Sequence, residues 1–218
     1  ERLSLPGVMD QLLWTGGDST LERLGAADWE AKLYGVVEVS KVAAALKHAA
    51  GEDADSDTII AIGELLCLLV LAAARGAHWV GRLVVYVTDN SNTESWLTRR
   101  VAKNRLARYG LRLLQRLEML HGFHVIAVGI STHHNAAMDY LTRAKLSEVQ
   151  EEMKARGFEE IDLMPYWEDF FKNHQLGSAL VTPKEEGRVK DAAFRIMARR
   201  QPGPAPQLTR ASFRAFEW

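Results

Sequence analysis

The sequence predicts an α/β fold, with helices covering a sheet whose central strands run parallel. Two short runs, GRLVVYVTDN (81–90) and GFHVIAVGI (122–130), have the length and β-branched content of buried strands. Each is followed by a stretch of helical composition with capping residues at its front, and strands separated by helices pair in parallel. Before the first helix the chain is apolar and partly alternating, which predicts a β-rich start.

The chain has 218 residues, 47% hydrophobic and 25% charged, enough for one core plus an extension or at most two small domains. The formal net charge of −1 means that any nucleic-acid footprint must be local. The single cysteine, Cys67, excludes an internal disulfide and a cysteine-based zinc site, and fits a reducing, intracellular setting. The chain starts with Glu and shows no signal peptide, so it is expected to be a piece of a longer one.

In order along the chain, QLLWTGGDST (11–20) starts as a short apolar strand and reaches Asp18 after two glycines. Residues 21–40 have room for one or two further strands, and 41–50 have helical composition. GEDADSD (51–57) is a polar loop with cap candidates ahead of an apolar helix, 58–75, closed by Gly76. The core of that helix, IIAIGELLCLLVLAAA (59–74), is short for a membrane span and carries Glu64, so it is predicted to be buried in a protein core with no membrane involved. SNTESWLTRR (91–100) is predicted to be a short capped helix and 103–120 an amphipathic one, with Leu106, Leu113, Leu117 and Leu120 as its core-facing stripe. Residues 131–157 are predicted to cap and then run as one long helix to Gly157. The expected division is a domain over 1–157 and a C-terminal extension over 158–218, partly flexible, with QPGPAPQ (201–207) an extended segment. LMPYWEDFF (163–171) has the aromatic content to pack back onto the core.

Acids stand in unexpected places. Asp89 ends a buried strand, where α/β sheets bind ligands. Glu64 is surrounded by Ile60, Ile62, Leu65, Leu66, Leu68 and Leu69, and a carboxylate buried there must shift its pKa or find a partner. Asp139 lies early in the last core helix, and Asp18 follows the glycine pair. Taken singly, each has an ordinary reading: a helix cap for Asp89, a rim acid for Glu64, a dipole-favoured acid for Asp139, a turn residue for Asp18. Together, if the two central strands are parallel neighbours, they converge. Such acids repel by roughly 4 kcal/mol per pair at an effective dielectric of 20, so they require a cation. An oxygen-only ligand set favours magnesium or manganese, and the cage suits one or two ions.

Four motifs, GGDST with Asp18, AIGELL with Glu64, YVTDNSN with Asp89 and HNAAMDYLTR with Asp139, resemble the ribonuclease H family, most closely the domains attached to retroelement reverse transcriptases. The last is similar to an Asn-x-x-Ala-Asp-x-Leu-Ser-Arg ending: Asn135, Asp139, Leu141 and Arg143 match, Met138 stands for Ala and Thr142 for Ser. The resemblance covers about residues 8–150, and residues 21–58 depart from the family's second and third strands. It implies a mixed five-stranded sheet flanked by helices, its first three strands antiparallel. It also implies two-metal cleavage of the RNA strand of RNA–DNA hybrids by Asp18, Glu64, Asp89 and Asp139, in a polyprotein with a reverse transcriptase domain. Some family members have a product-release His near the last acid; the spacing of His133 and His134 does not match it well.

A nucleic-acid surface is expected on helix 103–120, where Arg105, Arg108, Arg112 and Arg116 recur on one stripe, extended upstream by Arg99, Arg100 and Lys103. Asn90, Asn92 and Asn135, beside the acids, complete the expected contacts. Two rivals share the fold: a non-catalytic binding or scaffold module, and an integrase-type DNA nuclease.

Overall fold

The structure, a computed structural model, describes residues 11–38, 43–51 and 54–171. The extended segment expected at 201–207 lies outside them, as does everything else from 172 onward. The described residues all fall within one compact unit, which ends at Phe171. Residues 158–171 lie in that same unit. Leu163, Trp167 and Phe170 are buried in the main core, so the aromatic run does pack back onto it.

The fold is α/β, with a mixed six-stranded sheet ordered β5-β4-β1-β2-β3-β6 and flanked by helices. Strands β1 (Leu12–Ser19), β2 (Arg23–Asp28) and β3 (Leu33–Glu38) form an antiparallel meander. β4 (Leu83–Thr88) pairs parallel to β1, and β5 (His124–Gly129) parallel to β4. The expected five-stranded sheet gains a sixth member because the chain after Gly157 returns alongside β3, where Glu159 and Glu160 form β6. β5 was expected to be buried, but it is the sheet's outer strand, and only Val125 is fully covered.

Side-chain alternation in the meander places two helical layers on opposite faces. Leu24, Ala26 and Val37 join the main core with α2 (Ser56–Arg75) and α4 (Arg105–His121). Ala27 and Tyr34 point the other way and pack with Met138 and Leu141 of α5 (Ala136–Arg143) and Val149 and Met153 of α6 (Leu146–Ala155). α1 (Ala43–Ala50) and α3 (Ser91–Arg99) complete the helices up to residue 155.

α2 starts two residues earlier than expected, capped by the Asp55 carboxylate, which accepts from Thr58 N at 2.8 Å. Among the described residues it is the one helix long and apolar enough to cross a membrane, and its burial in the core accounts for that composition. The glycine pair in β1 extends the strand rather than ending it. A Cβ on Gly17 would come within 2.5 Å of the Tyr86 hydroxyl and 2.7 Å of Cys67 Cβ, so only glycine lets α2 lie this close to the sheet. Gly63 does the same from the helix side: a Cβ there would meet Ser19 Oγ at 2.0 Å.

The long helix expected over 131–157 is broken. A 3-10 turn (Thr132–His134) precedes α5, and Ala144 is extended at φ −73, ψ 164 before α6 begins. Arg23 Nη1 from β2 donates to the Ala144 carbonyl at 2.5 Å, holding the break against the sheet. In α4 the buried positions are Leu106, Ala107, Gly110, Leu111, Leu114 and Glu118. The expected leucine stripe is rotated: Leu113 and Leu117 are partly buried and Leu120 is 74% exposed.

Candidate metal centre

β1 and β4 are parallel neighbours from which the chain departs in opposite directions, β1 into the meander and β4 toward β5. Such a switch point leaves a crevice at the carboxyl ends of the strands. Asp18 occupies the last turn of pleat in β1, Asp89 follows β4 directly, and Glu64 comes down from α2, held close by Gly63. Asp18, Glu64 and Asp89 each present a carboxylate oxygen, and these atoms all lie within 4.8 Å of one another.

None of these acids is paired with a cationic side chain among the described residues; each is held by a neutral donor. Thr88 Oγ1 donates to Glu64 Oε2. Thr142 Oγ1, from α5, donates to Asp18 Oδ2. Asn135 Nδ2, at the start of α5, donates to Asp89 Oδ1 at 2.8 Å. Asn135 is the N-cap of α5, a position where Asn ordinarily accepts from the helix's first amides, yet its side chain makes no cap bond.

Burial dominates the electrostatics. Glu64, only 2% exposed, has its pKa pushed up to about 8 by desolvation, against the lowering hydrogen bond from Thr88 and with further raising by Asp18 and Asp89. Burial also raises Asp18, opposed by the Thr142 bond and reinforced by the charges of Asp139 and Asp89. Ionised together, acids at this separation repel by roughly 3 kcal/mol per pair. The donor set is oxygen-only, with Asp18 and Glu64 buried and Asp89 half-buried, and no described cationic side chain is bonded to it, which fits a hard divalent cation. Cys67 is close, its thiol donating to the Asp18 carbonyl at 3.1 Å, but burial pushes its pKa well up and keeps it a neutral thiol.

Asp139, expected as the fourth ligand, is not a member of this cluster. It is near enough for its charge to raise Asp18, but its Oδ1 is bound by Arg143 Nε at 3.1 Å, one helical turn later. An i,i+4 acid–base pair on one helix satisfies itself locally, and the sequence contained that pairing as Asp139 and Arg143.

Among the other expected contacts, Asn90 is the N-cap of α3, its side-chain Oδ1 accepting from Asn92 N and Thr93 N, and its side chain also bonds Glu64. Asn92 is exposed beside it. Asn135 is 2% exposed and turned onto Asp89, so it supports an acid rather than offering itself to a nucleic acid. Arg99, Lys103, Arg105, Arg108 and Arg116 are exposed and Arg112 is half-buried; Arg108 Nη1 also donates to the Lys103 carbonyl. Arg100 is not part of that surface. It sits at φ 57 at the end of α3, and its guanidinium donates to Glu118 Oε1 at 2.8 Å and to the Val125 carbonyl at 2.6 Å. His133 and His134 are exposed in the 3-10 turn, with His134 Nδ1 2.7 Å from Ser131 Oγ.

Thr88 and Thr142 are the supporting residues that the sequence reading passed over. Both were visible as polar β-branched residues in otherwise buried stretches, one directly before Asp89 and the other in the place of a motif Ser.

Comparison of the chain with protein-family models, curated proteins and solved structures finds no match.

Proposed function

We propose that this chain is a ribonuclease H-like nuclease domain that hydrolyses the RNA strand of RNA–DNA hybrids, using magnesium or manganese held by Asp18, Glu64 and Asp89. One observation carries the reading: carboxylate oxygens from β1, α2 and the end of β4 lie within 4.8 Å of one another at the sheet's switch point. The mixed sheet flanked by helices and its antiparallel start agree with what the motif resemblance implies. Divalent cations held by these acids would supply the acidity that activates water and the charge that eases departure of the 3′ oxygen.

The chain's own residues bind and orient. Asp18 and Asp89 present oxygens from rigid strand ends, and Glu64 closes the site from the helix layer. Thr88, Thr142 and Asn135 each occupy one carboxylate oxygen and so fix the direction of the other. Asp139 borders the cluster and, released from Arg143, would add a further oxygen. The exposed Arg105, Arg108 and Arg116 face of α4, with Arg99 and Lys103, supplies phosphate contacts, and hybrid choice rests on minor-groove shape and ribose 2′-hydroxyls. In this reading the domain works in an intracellular retroelement polyprotein, beside a reverse transcriptase domain.

The Asp139–Arg143 pair favours one rival specifically, a binding or scaffold module of the same fold in which the fourth acid is no longer available. Labelled hybrid, duplex DNA and duplex RNA, each incubated with the chain and magnesium, separate the readings. Selective cutting of the hybrid's RNA strand is expected. Preferential cutting of duplex DNA would replace this reading with an integrase-type nuclease, and binding without cutting would replace it with the scaffold module.

A further inference from the structure

α5 touches the acid cluster at both of its ends. Asn135, its N-cap, donates to Asp89 Oδ1 at 2.8 Å, and Thr142, in its last turn, donates to Asp18 Oδ2. Asp18 stands in β1 and Asp89 directly after its neighbour β4, so one short helix ties the two sides of the crevice together.

Asn135 forgoes an ordinary local role, and Thr142 shares one with Asp18. Asn135 stands where a side chain would cap α5, but caps nothing. The Thr142 hydroxyl lies 3.3 Å from the Met138 carbonyl and 3.2 Å from that of Asp139, the usual partners of a helical threonine, yet it is closer to Asp18. Both are buried, at 2% and 5% exposure, so water does not substitute for either donor. The helix is seated firmly enough to hold them: a Cβ on Gly25 of β2 would come within 2.8 Å of Leu141 Cβ, which marks close helix-to-sheet contact.

We infer that Asn135 and Thr142 are positioning residues of the cation site, through which α5 sets the separation and orientation of the Asp89 and Asp18 carboxylates. This rests on the cation-binding reading of the cluster. Neutral donors suit the task, because they orient a carboxylate without cancelling the charge that attracts a divalent ion. Groups of this kind, one shell away from a metal, commonly affect affinity by 10- to 100-fold.

The test is calorimetric titration of the purified chain with Mn²⁺ or Mg²⁺, alongside thermal melting in chelator. The variants are Asp89→Asn, Thr142→Val, Thr142→Ser and Asn135→Ala. Asp89→Asn is expected to abolish binding. Thr142→Val keeps the side chain's shape but removes the donor, and is expected to weaken binding about tenfold, as is Asn135→Ala. Thr142→Ser restores the hydroxyl and is expected to bind within about twofold of the parent. Parent-like affinity in both Thr142→Val and Asn135→Ala, with binding lost in Asp89→Asn, would overturn the positioning role while leaving the cation site intact. Equal weakening in Thr142→Ser and Thr142→Val would also overturn it, because the hydroxyl would then not matter. No binding by the parent chain would remove the cation site itself. Asn135→Ala and Thr142→Ser keep the proposal open to refutation should Thr142→Val fail to fold.

Discussion

Arg143 Nε lies 3.1 Å from Asp139 Oδ1, so the last acid of the motif faces its own helix's cation instead of joining Asp18, Glu64 and Asp89. The fields of Asp139, Asp18 and Asp89 all hold the Arg143 guanidinium in its charged form. Its side chain is 63% exposed, so the pair is screened and weak, worth at most about 1 kcal/mol. Removing Arg143 frees Asp139 and deletes a positive charge beside the cluster. Arg143→Gln should therefore tighten divalent-cation binding, by up to roughly fivefold. Calorimetric titration checks this, and weaker binding in the variant would show that Arg143 supports the site rather than competing with a cation.

The pH dependence of the cation-free chain follows from Glu64. Its pKa rises from 4.5 to about 8 on folding, chiefly because burial penalises the charged form. Between those values the folded chain keeps a proton that the unfolded chain has released, so unfolding releases a proton. The stabilisation is complete below the unfolded value and is lost as pH rises through the folded one. In chelator, melting temperature should fall from pH 5 to pH 9, and Glu64→Gln, which cannot ionise, should show a shallower fall. Superimposable pH profiles for the two proteins would mean that Glu64 is not the group responsible.

Two kinds of arginine should separate experimentally. Arg100 is bound to Glu118 Oε1 and the Val125 carbonyl, and Glu118 also accepts from Val125 N at 2.7 Å. Burial works to raise the Glu118 pKa, but the hydrogen bond from His124 and the charge of Arg100 outweigh it and hold the carboxyl below its usual range. Arg100→Ala should destabilise the fold by about 2 kcal/mol, the scale of a charge-assisted hydrogen bond, and leave the salt dependence of hybrid binding unchanged. Replacing the exposed Arg105 and Arg116 with Gln should do the reverse, leaving stability nearly constant and flattening the salt slope by about two phosphates' worth. Denaturant melts and binding at several salt concentrations distinguish these outcomes; an unchanged slope in the double variant would remove α4 from the binding surface.

Helix–sheet contact beneath the cluster is testable at Gly63. A Cβ there would stand 2.0 Å from Ser19 Oγ and 2.8 Å from Ser19 Cβ, next to Asp18. Gly63→Ala should cost about 1–3 kcal/mol through overpacking. Because the strain lifts α2 from β1, it should also weaken cation binding. Unaltered stability in a denaturant melt would contradict this packing.

Glu64 and Asp89 are legible in the sequence because each breaks a strong local pattern, an acid in an apolar helix and an acid at the end of a β-branched run. Asp18 is harder to read: the glycines before it suggest a turn, whereas they are strand residues that admit Trp29 on one face and Tyr86 and Cys67 on the other. The division of 131–157 into a 3-10 turn and two helices depends on Arg23 gripping the Ala144 carbonyl from β2, a contact 121 residues away that no local pattern records. The placement of the arginine stripe was legible from helical spacing, but the capture of Arg100 by Glu118 was not, since it depends on α3 ending in a left-handed residue beside β5.

Cleavage of a labelled RNA–DNA hybrid by the parent chain and by Asp89→Asn, each with and without magnesium, tests the three-acid centre most directly. The expected result is magnesium-dependent cutting of the RNA strand by the parent and loss of that cutting in the variant, which keeps the shape of the side chain but not its charge. Equal cutting by both proteins, or no cutting by the parent under conditions where it binds the hybrid, would contradict it.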